Sequence, residues 1–367
     1  MRKSSLLLLV VALIIVSIGI LSIYSSTYQK SGLLWQEIYK RQLLWVIIGL
    51  AFFFLLQKSD YRRVWDLTYI LYTLMIFLLL LVFVLGIVRL GAQRWLKFAW
   101  FNFQPSEFAK IVLVIFLARY FSRKSISDTS LMSGKFGIWQ GLVVPFIFVA
   151  IPIALIVEQP DLGSAVIVFL IFMALLSLTR IKLRYLIILA AAIAATMPFF
   201  WHYIRPYQKE RLLVFLNPNI DPLGAGYTII QAKIAIGSGG LFGKGWLSGT
   251  QSQLHFLPES HTDFIFSTFA EEWGFLGCSL LIFLYYLLIR EGFKIAQRTQ
   301  DHFGRLLAYG ISLMFAIQVS VNIAMNMGLA PVVGVPLPLM SYGGSSILVN
   351  FIALGFLASI SKRRSVF

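Results

Sequence analysis

Residues 202–263 have the sequence HYIRPYQKERLLVFLNPNIDPLGAGYTIIQAKIAIGSGGLFGKGWLSGTQSQLHFLPESHTD. This stretch is the long polar interruption of a chain that otherwise consists of apolar runs. Its charged residues are Arg205, Lys209, Glu210, Arg211, Asp221, Lys233, Lys244, Glu259 and Asp263. Long connections without regular structure are uncommon in compact proteins and tend to be functional. We therefore predict that 202–262 is a large loop, held by the rest of the chain over a cavity in a membrane.

The composition predicts an all-α polytopic membrane protein. Of 367 residues, 59% are hydrophobic and 13% are charged, and the mean hydropathy is +0.83. Such values are typical of chains that span a bilayer repeatedly, at ~20 residues per span. The single cysteine, Cys278, excludes a disulfide framework. We predict one integral membrane domain, 1–367, with about ten transmembrane helices near 5–25, 42–57, 64–88, 106–122, 137–157, 163–179, 184–201, 263–289, 303–330 and 342–361.

The distribution of charge predicts the orientation of these spans. Of the 31 Lys and Arg residues, 19 fall on the side that holds both termini, 11 fall in the opposite loops, and Lys110 lies within a span. Short loops rich in Lys and Arg stay in the cytoplasm. Both termini are therefore predicted to be cytoplasmic, and the loop 202–262 to lie outside. The net charge of +16 indicates contact with anionic membrane lipids and not a nucleic-acid partner.

The segment 104–110, QPSEFAK, opens the fourth predicted span. Pro105 suits the first position of a helix, and Glu107 suits its first turn, where a carboxylate satisfies free N–H groups. Lys110 opposes the helix dipole there, and it lies one turn after Glu107 on the same face. Two interpretations stay open: Glu107 caps the helix, or it forms an inward-facing ion pair with Lys110 that serves function.

Two further acids stand at predicted helix starts. Asp161, in the turn EQPDLG, fits a capped turn. Asp263 closes the pattern SHTD, in which it and Ser260 fit a cap, but it also ends the cation-rich loop at the membrane surface. Glu271 and Glu272 follow in the same predicted helix. Because acids at membrane depth need internal partners, this helix must border a polar cavity.

Two loop segments have unusual composition. The glycine-rich segment 237–245, GSGGLFGKG, does not match the phosphate-binding loop pattern, and we predict a flexible segment at the membrane interface. The uncharged segment 334–344 must be buried in protein or line a cavity. With Glu107, Asp161 and Asp263 at the outer ends of helices, these features predict an outer site of mixed charge that suits an anionic, lipid-linked ligand.

Five motifs in order along the chain resemble the SEDS family of cell-wall polymerases. They are 104–110 (QPSEFAK), 159–163 (QPDLG), 211–227 (RLLVFLNPNIDPLGAGY), 257–266 (LPESHTDFIF) and 336–345 (PLPLMSYGGS). The similarity covers essentially the whole chain. Within the family, 238–253 (SGGLFGKGWLSGTQSQ) resembles the elongation members rather than the division members.

The resemblance implies a peptidoglycan glycosyltransferase of the bacterial cytoplasmic (inner) membrane. It implies that the enzyme polymerises lipid II, the undecaprenyl-pyrophosphate-linked disaccharide-pentapeptide, during cell elongation and cell-shape maintenance. The implied partner is a class B penicillin-binding protein, a transpeptidase. Asp263 matches the essential aspartate of the family, and Glu107 and Lys110 match its charged pair.

We predict an inverting displacement in which Asp263 takes the proton of the acceptor hydroxyl. The alternative role for Asp263 is to bind a divalent cation, Mg²⁺ or Mn²⁺, that bridges it to the pyrophosphate. The predicted substrate-binding residues are Glu107, Lys110, Asp161, Arg205, Arg211, Lys233 and His261. The alternative functions are a flippase for the lipid-linked precursor, a division-type polymerase and a structural scaffold. A flippase needs a matching inner polar site, whereas the intramembrane charges cluster toward the outer half.

Overall fold

The structure is a computed structural model that describes residues 3–29, 37–89, 92–98, 101–127, 139–179, 187, 191, 206–224 and 226–363. The predicted span 184–201 and the predicted site residue Arg205 lie outside these residues, except for positions 187 and 191.

Helices form most of the described chain. Their bounds are α1 Lys3–Thr27, α2 Ile38–Lys58, α3 Arg63–Leu85, α4 Pro105–Ser127, α5 Val144–Glu158, α6 Leu162–Ser177, α7 Pro206–Leu216, α8 Tyr227–Ser238, α9 Thr250–Gln253, α10 Ile265–Arg298, α11 His302–Asn326 and α12 Gly344–Arg363. A π-helical turn, Trp139–Val143, leads into α5. In the described chain, seven helical segments are long and apolar enough to cross a membrane: α1, α2, α3, α5 with its π turn, α10, α11 and α12. The predicted all-α polytopic membrane fold is confirmed.

The core lies between α12 and its neighbours. Most residues of α12 are buried, whereas α3 leaves most of its apolar side chains at least partly exposed, as expected for a helix that faces lipid. Close approach depends on small residues, as is usual between membrane helices. A Cβ added to Gly49 of α2 would lie 2.5 Å from a ring carbon of Phe351 in α12. Residues 105–118 at the start of α4 are also almost all buried, so the polar start of this helix faces protein.

A three-stranded antiparallel sheet joins α3 to α4, and the sequence analysis missed it. The strands are β1 Gly86–Arg89, β2 Ala92–Phe98 and β3 Phe101–Phe103, in the order β1-β2-β3. The predicted third span, 64–88, therefore ends too late, because the helix stops at Leu85 and the chain continues as β1. Pairing with β2 satisfies the backbone groups that a helix would otherwise have bonded internally. The sheet brings Arg94 close to Asp161, at the start of α6.

The prediction that 202–262 lacks regular structure is wrong. Three helices, α7, α8 and α9, occupy much of its described part. Apolar residues explain the difference: Ala232 of α8 packs with Leu257 and Phe264 in a small core separate from that of the bundle, with Val332 against it. The described part of 202–262 is thus a packed helical segment over the start of α10, and we call it the covering segment.

The glycine-rich segment is also more ordered than predicted. Gly274 interrupts α10 with φ +63°, and the segment fills the resulting kink. The amides of Lys244 and Gly245 donate to the carbonyls of Glu271 and Glu272, at 3.0 Å each. A Cβ on Gly243 would lie 2.1 Å from the Glu272 carbonyl oxygen. The glycines are therefore required for close backbone contact with α10.

Candidate active site

Asp263 lies two residues before α10, at the junction of the covering segment and the bundle. The N-cap position belongs to Phe264, and no side chain caps the helix there. The interpretation of Asp263 as a helix cap is therefore wrong. Its side chain is partly exposed, and none of the described residues donates a hydrogen bond to its carboxylate. Asp263 thus has a carboxylate that is free to meet a ligand.

The surroundings of Asp263 hold charges of both signs. Burial and, to a smaller extent, the neighbouring carboxylate of Glu259 raise the pKa of Asp263 to about 6, although Arg211 and Arg94 oppose the shift. Gly334, in the uncharged outer segment, lies against this carboxylate: a Cβ there would be 3.4 Å from Asp263 Oδ2. Gly334 therefore borders the site, which agrees with the expectation that the segment 334–344 is buried in protein or lines a cavity. A carboxyl with this pKa can accept a proton near neutral pH.

Arg94 is the site residue that the sequence analysis missed. Its guanidinium donates to the Pro160 carbonyl oxygen, and Nη1 lies 4.0 Å from Asp161 Oδ1. It is partly buried and stands close enough to Asp263 to lower its pKa. The available signal was its place in the stretch between two predicted spans, ten residues before the start of the QPSEFAK motif.

Asp161 connects two helices. It is the N-cap of α6, where its Oδ1 accepts from the Ser164 amide at 3.2 Å, so the capped-turn interpretation is confirmed. Its Oδ2 also accepts from Ser106 Oγ at 2.8 Å and from Gln104 Nε2 at 3.1 Å. Through these bonds Asp161 joins α6 to the start of α4. It is therefore more than a local cap.

Glu107 and Lys110 form a buried ion pair. Lys110 Nζ lies 2.6 Å from Glu107 Oε1, and the side chains are 1% and 4% exposed respectively. Of the two interpretations left open by the sequence, the inward-facing pair is the one observed. Ser106, the residue before Glu107, donates a hydrogen bond to Asp161, whose charge acts on Asp263. The ion pair is therefore linked to the surroundings of Asp263 through Ser106 and Asp161.

The other predicted site residues differ in how they lie relative to Asp263. Arg211 Nη1 donates to the Val332 carbonyl at 3.2 Å, and its charge acts on Asp263. His261 is buried with its ring centroid 5.9 Å from that of Tyr342. Lys233 is exposed and lies against Gly328, just after α11. The structure thus brings Asp161 and Arg211 to Asp263, whereas the Lys233 amine contacts a more peripheral position.

Glu271 and Glu272 fasten the glycine-rich segment to α10. Glu271 is fully buried, and its Oε1 accepts from Lys244 Nζ at 2.7 Å and Thr250 Oγ1 at 2.9 Å. The Gln251 amide adds bonds of 3.2 and 3.1 Å to its two oxygens. Glu272 accepts from Ser25 Oγ at the end of α1. These acids have the internal partners that the sequence analysis required.

No group of three or more His, Cys, Asp or Glu side chains is placed to hold a metal ion within the described ranges. Asp263 and Glu259 supply two neighbouring carboxylates. A divalent cation bound there would need further oxygen ligands, such as those of a pyrophosphate.

Comparison with known proteins shows which family the chain is similar to. The family described as cell cycle protein, FTSW_RODA_SPOVE, matches residues 5–366. The peptidoglycan glycosyltransferase MrdB of Escherichia coli K12 is 42% identical over 99% of this chain and 94% of its own length. The peptidoglycan glycosyltransferase RodA of Treponema pallidum is 33% identical over 98% of this chain and 97% of its own.

Solved structures show the same similarity. A chain of a peptidoglycan synthase complex that coordinates polymerization and crosslinking superposes with a TM-score of 0.81, at 30% identity over 98% of both chains. The crystal structure of Thermus thermophilus rod shape determining protein RodA gives a TM-score of 0.71, at 29% identity over 98% of this chain and 97% of that one.

Proposed function

Because this chain belongs to the FtsW, RodA and SpoVE family and is a peptidoglycan glycosyltransferase, we propose that it polymerises lipid II. The reaction extends glycan strands at the outer leaflet of the cytoplasmic membrane during cell elongation and maintains cell shape. The similarity to MrdB and RodA supports elongation.

The observation that most supports this function is the open carboxylate of Asp263, whose pKa is raised to about 6. A general base works best when its pKa lies near the operating pH. The other acids of the site are already engaged: Asp161 with Ser106 and Gln104, and Glu107 with Lys110. Asp263 is therefore the residue we assign as the base.

The reaction is a single displacement that inverts the donor sugar. The growing glycan, linked through its anomeric carbon to undecaprenyl pyrophosphate, is the donor, and the 4-OH of an incoming lipid II is the acceptor. Asp263 takes the hydroxyl proton as that oxygen bonds the anomeric carbon. The bond from this carbon to the pyrophosphate oxygen breaks, and undecaprenyl pyrophosphate leaves.

Cations beside Asp263 stabilise the departing pyrophosphate. Arg211 and Arg94 are near enough to influence the Asp263 carboxyl, and arginine binds phosphate oxygens through two parallel hydrogen bonds. Charges held in place before the reaction lower its barrier without reorganisation. Lys233 and Arg205 complete the proposed set of substrate-binding residues, and the His261 side chain lines part of the same site. A divalent cation between Asp263, Glu259 and the pyrophosphate would add to the same stabilisation.

The Glu107–Lys110 pair stabilises the residues that surround the Asp263 site. With its amine buried against Glu107, Lys110 acts through the outer end of α4, where Ser106 holds Asp161. We therefore assign the pair to keeping Asp161, and the neighbouring Arg94, in place for the substrate.

The proposed partner is a class B penicillin-binding protein, which crosslinks the new strand. The similarity to a chain of a complex that coordinates polymerization and crosslinking supports it. Both termini are proposed to be cytoplasmic. In a Cys278→Ser background, a cysteine at Asn219 should react with a membrane-impermeant thiol reagent in intact cells, and one at Gln300 should not. The reverse pattern would place the site in the cytoplasm.

Purified protein incubated with lipid II tests the activity directly. We expect glycan polymer from the chain alone and more polymer when a class B penicillin-binding protein is added. A flippase would instead move lipid II across vesicles without making polymer. Translocation without polymer, with and without the partner, would contradict the proposal.

A further inference from the structure

The main chain of residues 261–263 is held at three successive carbonyl groups. The His261 carbonyl accepts from the Tyr342 amide at 2.9 Å. The Thr262 carbonyl accepts from Ser341 Oγ at 2.6 Å. The Asp263 carbonyl accepts from two amides of α11, Asn322 Nδ2 and Asn326 Nδ2, at 3.0 Å each. The backbone that carries the proposed base is therefore fixed by donors from two other parts of the chain.

The two asparagines are fully buried, at 0% exposure, and their hydrogen bonds extend on both sides of Asp263. Asn322 Nδ2 also donates to the Val335 carbonyl at 2.7 Å, which uses both of its N–H groups. Asn326 Oδ1 accepts from Ser267, at 3.2 Å from the amide and 2.6 Å from Oγ. Asn326 Nδ2 donates to the Asn322 carbonyl at 2.9 Å.

This arrangement fixes a distance within the site. Asn322 joins Asp263 to Val335, and Gly334, the residue before Val335, lies against the Asp263 carboxylate with φ +71°. The same amide therefore sets both the main chain of Asp263 and the segment that borders its carboxylate. An apolar residue at 322 would leave two buried carbonyls without this donor, which favours their movement apart.

We propose that Asn322 is a positioning residue for Asp263: it holds the aspartate backbone and the 333–335 segment at the spacing that the glycosyl transfer requires. This inference rests on the proposed function of Asp263. Asn322 does not touch the reacting atoms, and it acts by limiting where the carboxylate can lie. A displacement of about 1 Å in a catalytic group can reduce a rate about 100-fold.

The test compares Asn322→Leu with Asn350→Leu in the full-length purified protein and lipid II. Asn350 is a matched control, because it is buried in α12 and its amide bonds only Ser346 Oγ, at 3.4 Å, among the described residues. We expect Asn322→Leu to lower kcat about 10- to 100-fold while KM for lipid II changes less than about threefold. Asn350→Leu should leave both constants within about threefold of wild type. Equal kcat values for the two variants would overturn the proposal.

A double variant separates positioning from a general structural effect. If Asn322 acts through the Asp263 carboxylate, Asn322→Leu should reduce polymerisation little further in an Asp263→Asn background, because residues that act as a unit are non-additive. A full additional loss in that background would overturn the proposal. Near wild-type polymerisation by Asp263→Asn alone would instead refute the catalytic assignment of Asp263. An inactive Asp263→Asn beside an unaffected Asn322→Leu would refute only the inference about Asn322.

A milder pair of variants covers failure of Asn322→Leu to fold. Ser341→Ala removes the donor to the Thr262 carbonyl, and Ser359→Ala removes a comparable bond of 2.7 Å to the Ser59 carbonyl at the opposite end of the bundle. Positioning predicts a kcat about 3- to 10-fold lower for Ser341→Ala, with KM unchanged and thermal unfolding matched to Ser359→Ala. Equal kcat for these two variants would count against the proposal.

Discussion

Asp263 and Glu271 are eight residues apart near the start of α10, and their carboxylates have opposite surroundings. Glu271 accepts hydrogen bonds from Lys244, Thr250 and Gln251 and is fully buried. Asp263 is partly exposed, and the described residues give its carboxylate no donor. A saturated carboxylate has little capacity left for a substrate, so we assign Glu271 to the structure and propose Asp263 for the reaction.

Glu107 belongs with Glu271 in this comparison, since Lys110 neutralises it within the bundle. Acidic residues that look alike in the sequence therefore differ in whether the protein already supplies partners to their carboxylates. Structural acids should affect stability first, and the open acid should affect the reaction first.

The largest effect is expected from Asp263→Asn. Asparagine keeps the size of the side chain but does not provide a base, and loss of a general base costs about 10²- to 10⁴-fold in rate. Polymer formation from lipid II should fall by that factor, while thermal unfolding and binding of lipid II stay close to wild type. Polymerisation within a few-fold of wild type would remove the distinction between Asp263 and the saturated acids.

The closed pair in α4 should show the opposite behaviour. Glu107→Gln and Lys110→Met each leave one buried charge without its partner, which costs about 3 kcal/mol of stability. The double variant should recover much of that stability, measured by thermal unfolding in detergent. We expect polymerisation to recover less, because the start of α4 also holds Asp161. Recovery of activity equal to that of stability would make the pair purely structural.

Much of the scaffold could be predicted because its signals are local. Apolar runs longer than a bilayer is thick predict helices, and the spacing of Glu107 and Lys110 places them on one face of a helix whatever surrounds it. Asp161 likewise forms its cap with Ser164, three residues away. Each of these predictions depends on a few neighbouring residues.

The remainder of the site depends on contacts between distant residues. Arg94 reaches Asp161 only because β1 and β2 pair, and the sequence around them looked like the end of a span. Asn322 is a polar residue in an apolar run, and no local pattern indicates its bond to Asp263, 59 residues earlier. The glycine-rich segment resembled a flexible loop because its partner, the kink at Gly274, is not a local pattern.

A smaller effect on stability should distinguish the two partners of the Glu271 pair. Lys244→Met leaves the fully buried Glu271 with only Thr250 and Gln251, and we expect a loss of about 2 kcal/mol. Glu271→Gln should cost less, since the Lys244 side chain is 28% exposed and reaches water. Arg41→Met is the control, because its pair with Glu37 is exposed and 3.7 Å long, and such pairs contribute about 0–1 kcal/mol. Thermal unfolding measures all three, and equal losses would contradict the assignment of Glu271.

The smallest effect is expected from the pH dependence of the open acid. A base must be ionised to accept a proton, so activity should rise as pH rises through the Asp263 pKa of about 6. For one group with that pKa, kcat/KM at pH 5 should be about one tenth of its value at pH 7.

Glu259→Gln removes the negative neighbour that raises the pKa of Asp263, so the acidic limb of the pH profile should move to lower pH. Glutamine keeps an oxygen for the bond from Thr262 Oγ1, which is 2.9 Å long, so the local structure is preserved. Glu210→Gln, an exposed acid on α7, serves as the control and should leave the limb in place. Glu271→Gln should also leave it in place if the saturated acids have no part in the reaction. A limb that stays fixed in Glu259→Gln, or moves to higher pH, would show that a group other than Asp263 governs the rate.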